Sequence, residues 1–141
     1  MSYRTSLIDM KSFVHKLRVE YHHTDQMGIV HHSNYVRFFE AARTEWLRSA
    51  GMTYAEMERR GVMMPIVEVN VTYKQPAYYD ELLSITTTVD EMPMARMTFR
   101  YKVRGEDGRD IASGSTTLGF IDKETRRPVR APQWLLEVIK L

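Results

Sequence analysis

The stretch Tyr21-His22-His23-Thr24-Asp25-Gln26-Met27-Gly28-Ile29-Val30-His31-His32-Ser33-Asn34-Tyr35 decides how this chain is read. It sets a carboxylate, a glycine turn, two histidine pairs and a helix-start signal in one loop. Gly28 permits a tight turn without a side chain in the way. Ser33 or Asn34 can cap a helix, since either supplies a side-chain oxygen to orphan backbone donors. The loop therefore sets Asp25 against a helix N-terminus, whose first N–H groups lack intrahelical partners and carry positive partial charge. A polarised carbonyl held between the two is open to attack.

Outward from the loop, the spacing of Tyr35, Phe38, Phe39, Ala42, Trp46 and Ala50 predicts a helix over Asn34–Ala50, stopped by Gly51. Its apolar face is broad, as in a helix wrapped by other structure. Rough alternation over 13–21 predicts a strand before the loop. A short helix is expected over 53–60, with Thr53 as its cap and Glu56 completing a capping box. Segments 62–73, 82–90, 95–104 and 111–122 are rich in Val, Ile, Thr, Tyr and Phe and read as strands. Glu106-Asp107-Gly108 marks a hairpin, and Pro132 opens a last short helix. One strand, a long helix and four further strands make a single α+β domain over residues 1–141, an antiparallel sheet wrapped around a central helix.

The chain has 141 residues, 43% of them hydrophobic, enough for one core. It has no cysteine, which excludes disulfides, a thiol nucleophile and thiolate metal sites. Residues 1–11 carry no signal-peptide pattern, and no apolar run nears the roughly 20 residues of a membrane span. A cytoplasmic protein without a membrane partner is expected. A net charge of +2 suits a polyanionic small molecule and is too weak to indicate nucleic acid.

The motif from Thr24 to Tyr35 resembles the hotdog-fold acyl-CoA thioesterases of the 4-hydroxybenzoyl-CoA thioesterase family. So do Phe39-Glu40-Ala41-Ala42-Arg43-Thr44-Glu45-Trp46-Leu47 and Pro76-Ala77-Tyr78-Tyr79-Asp80-Glu81-Leu82. The resemblance runs from about Phe13 onward. It implies a hotdog fold, an acyl-CoA thioester substrate, hydrolysis by water, and neither metal nor cofactor. It also implies a homodimer or homotetramer in which two protomers join their sheets edge to edge, with active sites between them.

Thioester hydrolysis needs an attacking oxygen and donors for the developing oxyanion. Asp25 can attack directly, giving a mixed anhydride, or act as general base on a water. The resemblance puts the oxyanion donor at His32 and gives supporting catalytic roles to the side chains of His32 and Tyr21. Gly28, Asn34 and Tyr35 are the substrate-binding candidates, although Tyr35 equally suits the core and an Asp in a turn often bonds its own backbone. Adjacent histidines on a strand would point opposite ways, so His22 and His23 are not expected to share a metal. Glu40 and Glu45 offer helix carboxylates that fit less well than Asp25. Lys74, Arg96, Arg100, Arg126, Arg127 and Arg130 are candidates for the coenzyme's phosphates. The alternatives are an acyl carrier protein thioesterase, a non-catalytic acyl-CoA-binding module and a dehydratase.

Overall fold

The computed structural model describes residues 12–139, so the reading of residues 1–11 lies outside them. Five strands form one antiparallel sheet: β1 (Ser12–Arg18), β3 (Ile66–Tyr73), β4 (Leu82–Thr88), β5 (Arg96–Arg104) and β6 (Asp110–Gly119), in the order β1-β4-β5-β6-β3. A two-stranded ribbon pairs β2 (Val62–Met63) with β7 (Ile121–Asp122). Helices α1 (Asn34–Ala50), α2 (Tyr54–Arg59) and α3 (Gln133–Ile139) complete the chain. No helix among the described residues is long and apolar enough to cross a membrane.

The α1 helix packs on one face of the sheet. Tyr35, Phe38, Phe39, Ala42, Trp46 and Leu47 are buried there, against Leu83, Ile85, Met97, Phe99, Tyr101 and Val103 of β4 and β5. Phe39 stacks on Tyr101 with ring centroids 4.2 Å apart, and Trp46 meets Phe99 edge-on at 5.5 Å. Gly114 of β6 makes room for that packing: a Cβ there would stand 2.7 Å from the Phe39 ring. Gly51 ends the helix in the left-handed conformation, at φ 103°.

Several boundaries differ from the sequence reading. The first strand stops at Arg18, and Tyr21–His23 form a 3₁₀ turn in which the Glu20 N–H donates to His23 Nδ1 at 2.9 Å. The expected strand 62–73 is broken at Met64-Pro65, because proline has no N–H to give a ladder. Likewise 111–122 divides into β6 and β7. Thr53 caps α2 by accepting the Glu56 N–H, but the Glu56 carboxylate turns to Arg59 and Arg60 instead of closing a capping box.

Candidate active site

The loop between the 3₁₀ turn and α1 is a miniature hairpin. Thr24 bridges Val30, the Asp25 N–H donates to the Ile29 carbonyl at 2.9 Å, and the Gly28 N–H donates to the Asp25 carbonyl at 3.0 Å. Gly28 has φ 78°, which its lack of a Cβ makes inexpensive. The loop is tied to the 76–78 segment by Val30 N–H to the Ala77 carbonyl (2.9 Å) and by a bridge between Ile29 and Tyr78. Behind that segment, Arg109 forks onto both oxygens of Glu81 at 2.8 Å and donates to the Pro76 carbonyl at 3.1 Å. Glu81 in turn accepts the Tyr78 N–H at 3.1 Å. The pair is largely shielded and works as a clamp under the loop.

A cleft of about 360 Å³ opens beside this loop, lined among others by Asp25, His32, Tyr35, Tyr73 and Lys74. Asp25 and His32, proposed from sequence as partners, thus face one space. Asp25 Oδ1 accepts the Met27 N–H at 2.8 Å, the local turn contact expected of an Asp here. That bond orients the carboxylate, and neither oxygen has a basic side chain paired to it among the described residues.

The amides opposite are unevenly satisfied. Over residues 31–35, the His31 N–H donates to the His23 carbonyl (2.9 Å), Ser33 to His31 Nδ1 (3.3 Å), Asn34 to the His31 carbonyl (3.0 Å) and Tyr35 to the His32 carbonyl (3.3 Å). The His32 N–H alone in this run has no partner among the described residues. Neither expected cap operates. Ser33 makes no capping bond, because its hydroxyl is held by His31 Nδ1 at 2.8 Å. Asn34 is buried, and its amide donates to the His23 carbonyl at 2.8 Å.

The remaining sequence candidates divide. Tyr35 lines the cleft from a buried position, and burial, with lesser contributions from Tyr73 and Glu81, pushes its hydroxyl up to about 12. It therefore stays protonated at neutral pH. Asn34 is a pin between loop and helix rather than a cleft-lining group. Gly28 shapes the turn and is not among the cleft's lining residues. Tyr21 is 79% exposed, edge-on to Tyr79, and makes no hydroxyl contact to Asp25 within this chain. Glu40 and Glu45 lie off the cleft, at ion-pair distance from Arg43 (3.7 Å) and Arg48 (3.3 Å).

Tyr73 went unassigned in the sequence. Its hydroxyl donates to the His32 carbonyl at 3.2 Å, and its ring stands edge-on to both His32 and Tyr35. Only its place at the end of an apolar strand just before Lys74-Gln75-Pro76 hinted at a role. Lys74, one of the phosphate candidates, lines the cleft and pairs with Asp110 at 3.1 Å.

The reasoning that kept His22 and His23 apart fails, because they lie in a turn and not in a strand. Ligand atoms of Glu20, His22 and His23 come within 4.8 Å of one another. Yet His23 Nδ1 accepts the Glu20 N–H, so the neutral ring carries its proton on Nε2 and offers no lone pair there. Burial, followed by the neighbouring His22, lowers the His23 pKa and keeps it in that neutral form.

The family model described as thioesterase-like superfamily matches residues 19–139. The acyl-CoA thioester hydrolase YbgC of Escherichia coli O6:H1 is 27% identical, over 88% of this chain and 92% of its own. The structure of a DHNA-CoA thioesterase from Staphylococcus aureus superposes with a TM-score of 0.81 at 33% identity, covering 84% of this chain and 80% of that one. A 4-hydroxybenzoyl-CoA thioesterase in complex with 4-hydroxybenzoyl-CoA shares the fold, with a TM-score of 0.82 at 23% identity over 92% and 99% of the two chains. The sheet packed on α1 is the hotdog fold of these thioesterases. The chain belongs to the thioesterase-like superfamily.

Proposed function

We propose that this protein hydrolyses acyl-CoA thioesters to the free acid and coenzyme A, with Asp25 delivering the oxygen and the His32 amide receiving the oxyanion. The observation that carries the reading is the cleft shared by Asp25 and His32, beside the one amide of residues 31–35 left without a partner. In water such a donor gains little, but in a preorganised site one is worth roughly 10²–10³ in rate. Asp25 acts as nucleophile, forming an acyl-aspartyl anhydride and releasing the thiolate, or deprotonates the attacking water. Tyr73 holds the His32 carbonyl and so restrains the peptide that follows the His32 amide. Neither route calls for a metal or cofactor.

The reading includes a homodimer. Edge strand β3 carries Ile66, Val67, Val69 and Tyr73 at 37–51% exposure, an apolar edge with one side of its ladder open. Such an edge is a template for another strand. Pairing two copies there would bring a partner to the rim of the cleft at Tyr73. Pairs of dimers, and residence in the cytoplasm, remain compatible with it.

Asp25→Asn tests the assignment. Hydrolysis of a panel of short, long and aromatic acyl-CoAs, read by free thiol, is expected to fall about 10²–10⁴-fold with unchanged circular dichroism. Near-normal turnover in the folded variant would refute the role given to Asp25.

A further inference from the structure

The face of the sheet turned away from α1 carries a second concavity, of about 490 Å³, with no part in the cleft. Its floor is built by register. Thr86, Lys102 and Ser113 stand side by side on β4, β5 and β6, and Thr88, Arg100 and Ser115 form the next row. Each row is therefore a cation between two hydroxyls. The two cations are two residues apart on one strand and project from the same face. One carboxylate, Asp90, answers them, at 3.0 Å from Arg100. Lys102 has no ion-pair partner among the described residues.

From this arrangement we infer that the groove binds a nucleoside diphosphate. Asp90 offsets the charge of Arg100 and leaves that of Lys102, so an anion lying between the two cations is attracted by both. Guanidinium, ammonium and hydroxyl donors lining one groove suit phosphate oxygens, and charge-assisted bonds are the strong ones. The volume lies in the range of small-molecule sites and exceeds what a bare diphosphate fills. The threonine methyls and the stems of Arg100 and Lys102 leave apolar wall for a sugar and base. A groove with depth favours such a molecule over a flat lipid surface. The inference does not depend on the hydrolase reading, because the groove lies on the opposite face of the sheet from α1 and shares no lining residue with the cleft.

Titration calorimetry with ADP and with inorganic pyrophosphate tests it, on the full chain. ADP is expected to bind, at least tenfold more weakly to the Arg100→Ala/Lys102→Ala variant, and severalfold more tightly to Asp90→Asn, where the competing carboxylate is gone. Lys102→Arg should retain most of the affinity. Pyrophosphate should bind more weakly than ADP. The inference is overturned by no ADP binding at low millimolar concentration, by equal ADP binding to the double variant, or by pyrophosphate matching ADP. It is overturned equally if the double variant raises KM for acyl-CoA in step with its loss of ADP, which would assign the face to the substrate. A shift of the double variant's oligomeric state in sedimentation would overturn it by making the face a contact between copies.

Discussion

In the proposed mechanism, Asp25 and His32 act through different parts of their residues. Asp25 presents its side chain, whereas His32 is placed to present its backbone, since Tyr73 and Tyr35 both bond the His32 carbonyl and leave its N–H open. His32→Ala keeps that amide. It is therefore expected to lower kcat by no more than about tenfold, far less than Asp25→Asn, with the difference read by steady-state kinetics on one acyl-CoA. His23 sets a pH limit. Its folded pKa lies below its ordinary value of 6.5, so below that pH the unfolded chain binds a proton that the folded turn resists. The stabilisation is complete above 6.5 and drains away as pH falls through the lowered value. Thermal melts between pH 7 and 5 should show the wild type losing a few degrees more than His23→Gln.

At the scale of elements, the loop is held from two sides. The buried Asn34 amide and the His31 N–H both donate to the His23 carbonyl, pinning loop to helix. The Arg109–Glu81 clamp holds the 76–78 segment against Ile29 and Val30. Replacing Glu81 with Gln removes the more shielded of the two carboxylates on the Arg109 guanidinium and leaves Asp107, at 2.9 Å, as its remaining counter-charge. About 1–2 kcal/mol of stability should be lost, less than for an isolated buried pair because Asp107 still answers the guanidinium and both side chains keep some water. Since the clamp touches no substrate, kcat should fall while KM for acyl-CoA changes little. Chemical denaturation and kinetics on the same variant check both parts.

For the molecule as a whole, the open edge of β3 is the decisive feature. An open edge with exposed Ile66, Val67, Val69 and Tyr73 invites association, and Glu68 is the one charge on the strand to blunt it. Val67→Lys with Val69→Lys supplies that blunting. The variant is expected to sediment as a monomer at micromolar concentration and to lose hydrolysis with the dimer, while its own fold survives because the residues are exposed. An active monomer would show that one chain completes the cleft by itself.

What the amino-acid sequence determined alone is considerable. The three- and four-residue spacing from Tyr35 to Trp46 can bury only as a helix. The β-branched runs favour strands, where their branched side chains pack well, and the Asp25–Gly28–His32 interval places an acid before a helix start. These are local regularities, set by backbone geometry within a few residues. Other features needed the tertiary structure: the 3₁₀ turn at Tyr21–His23, the break at Pro65, Asn34 turned inward, Tyr73 brought to His32 from 41 residues away, and the Arg109–Glu81 clamp. Each depends on which distant group meets a polar atom once the core has closed, and no periodicity along the chain encodes that meeting.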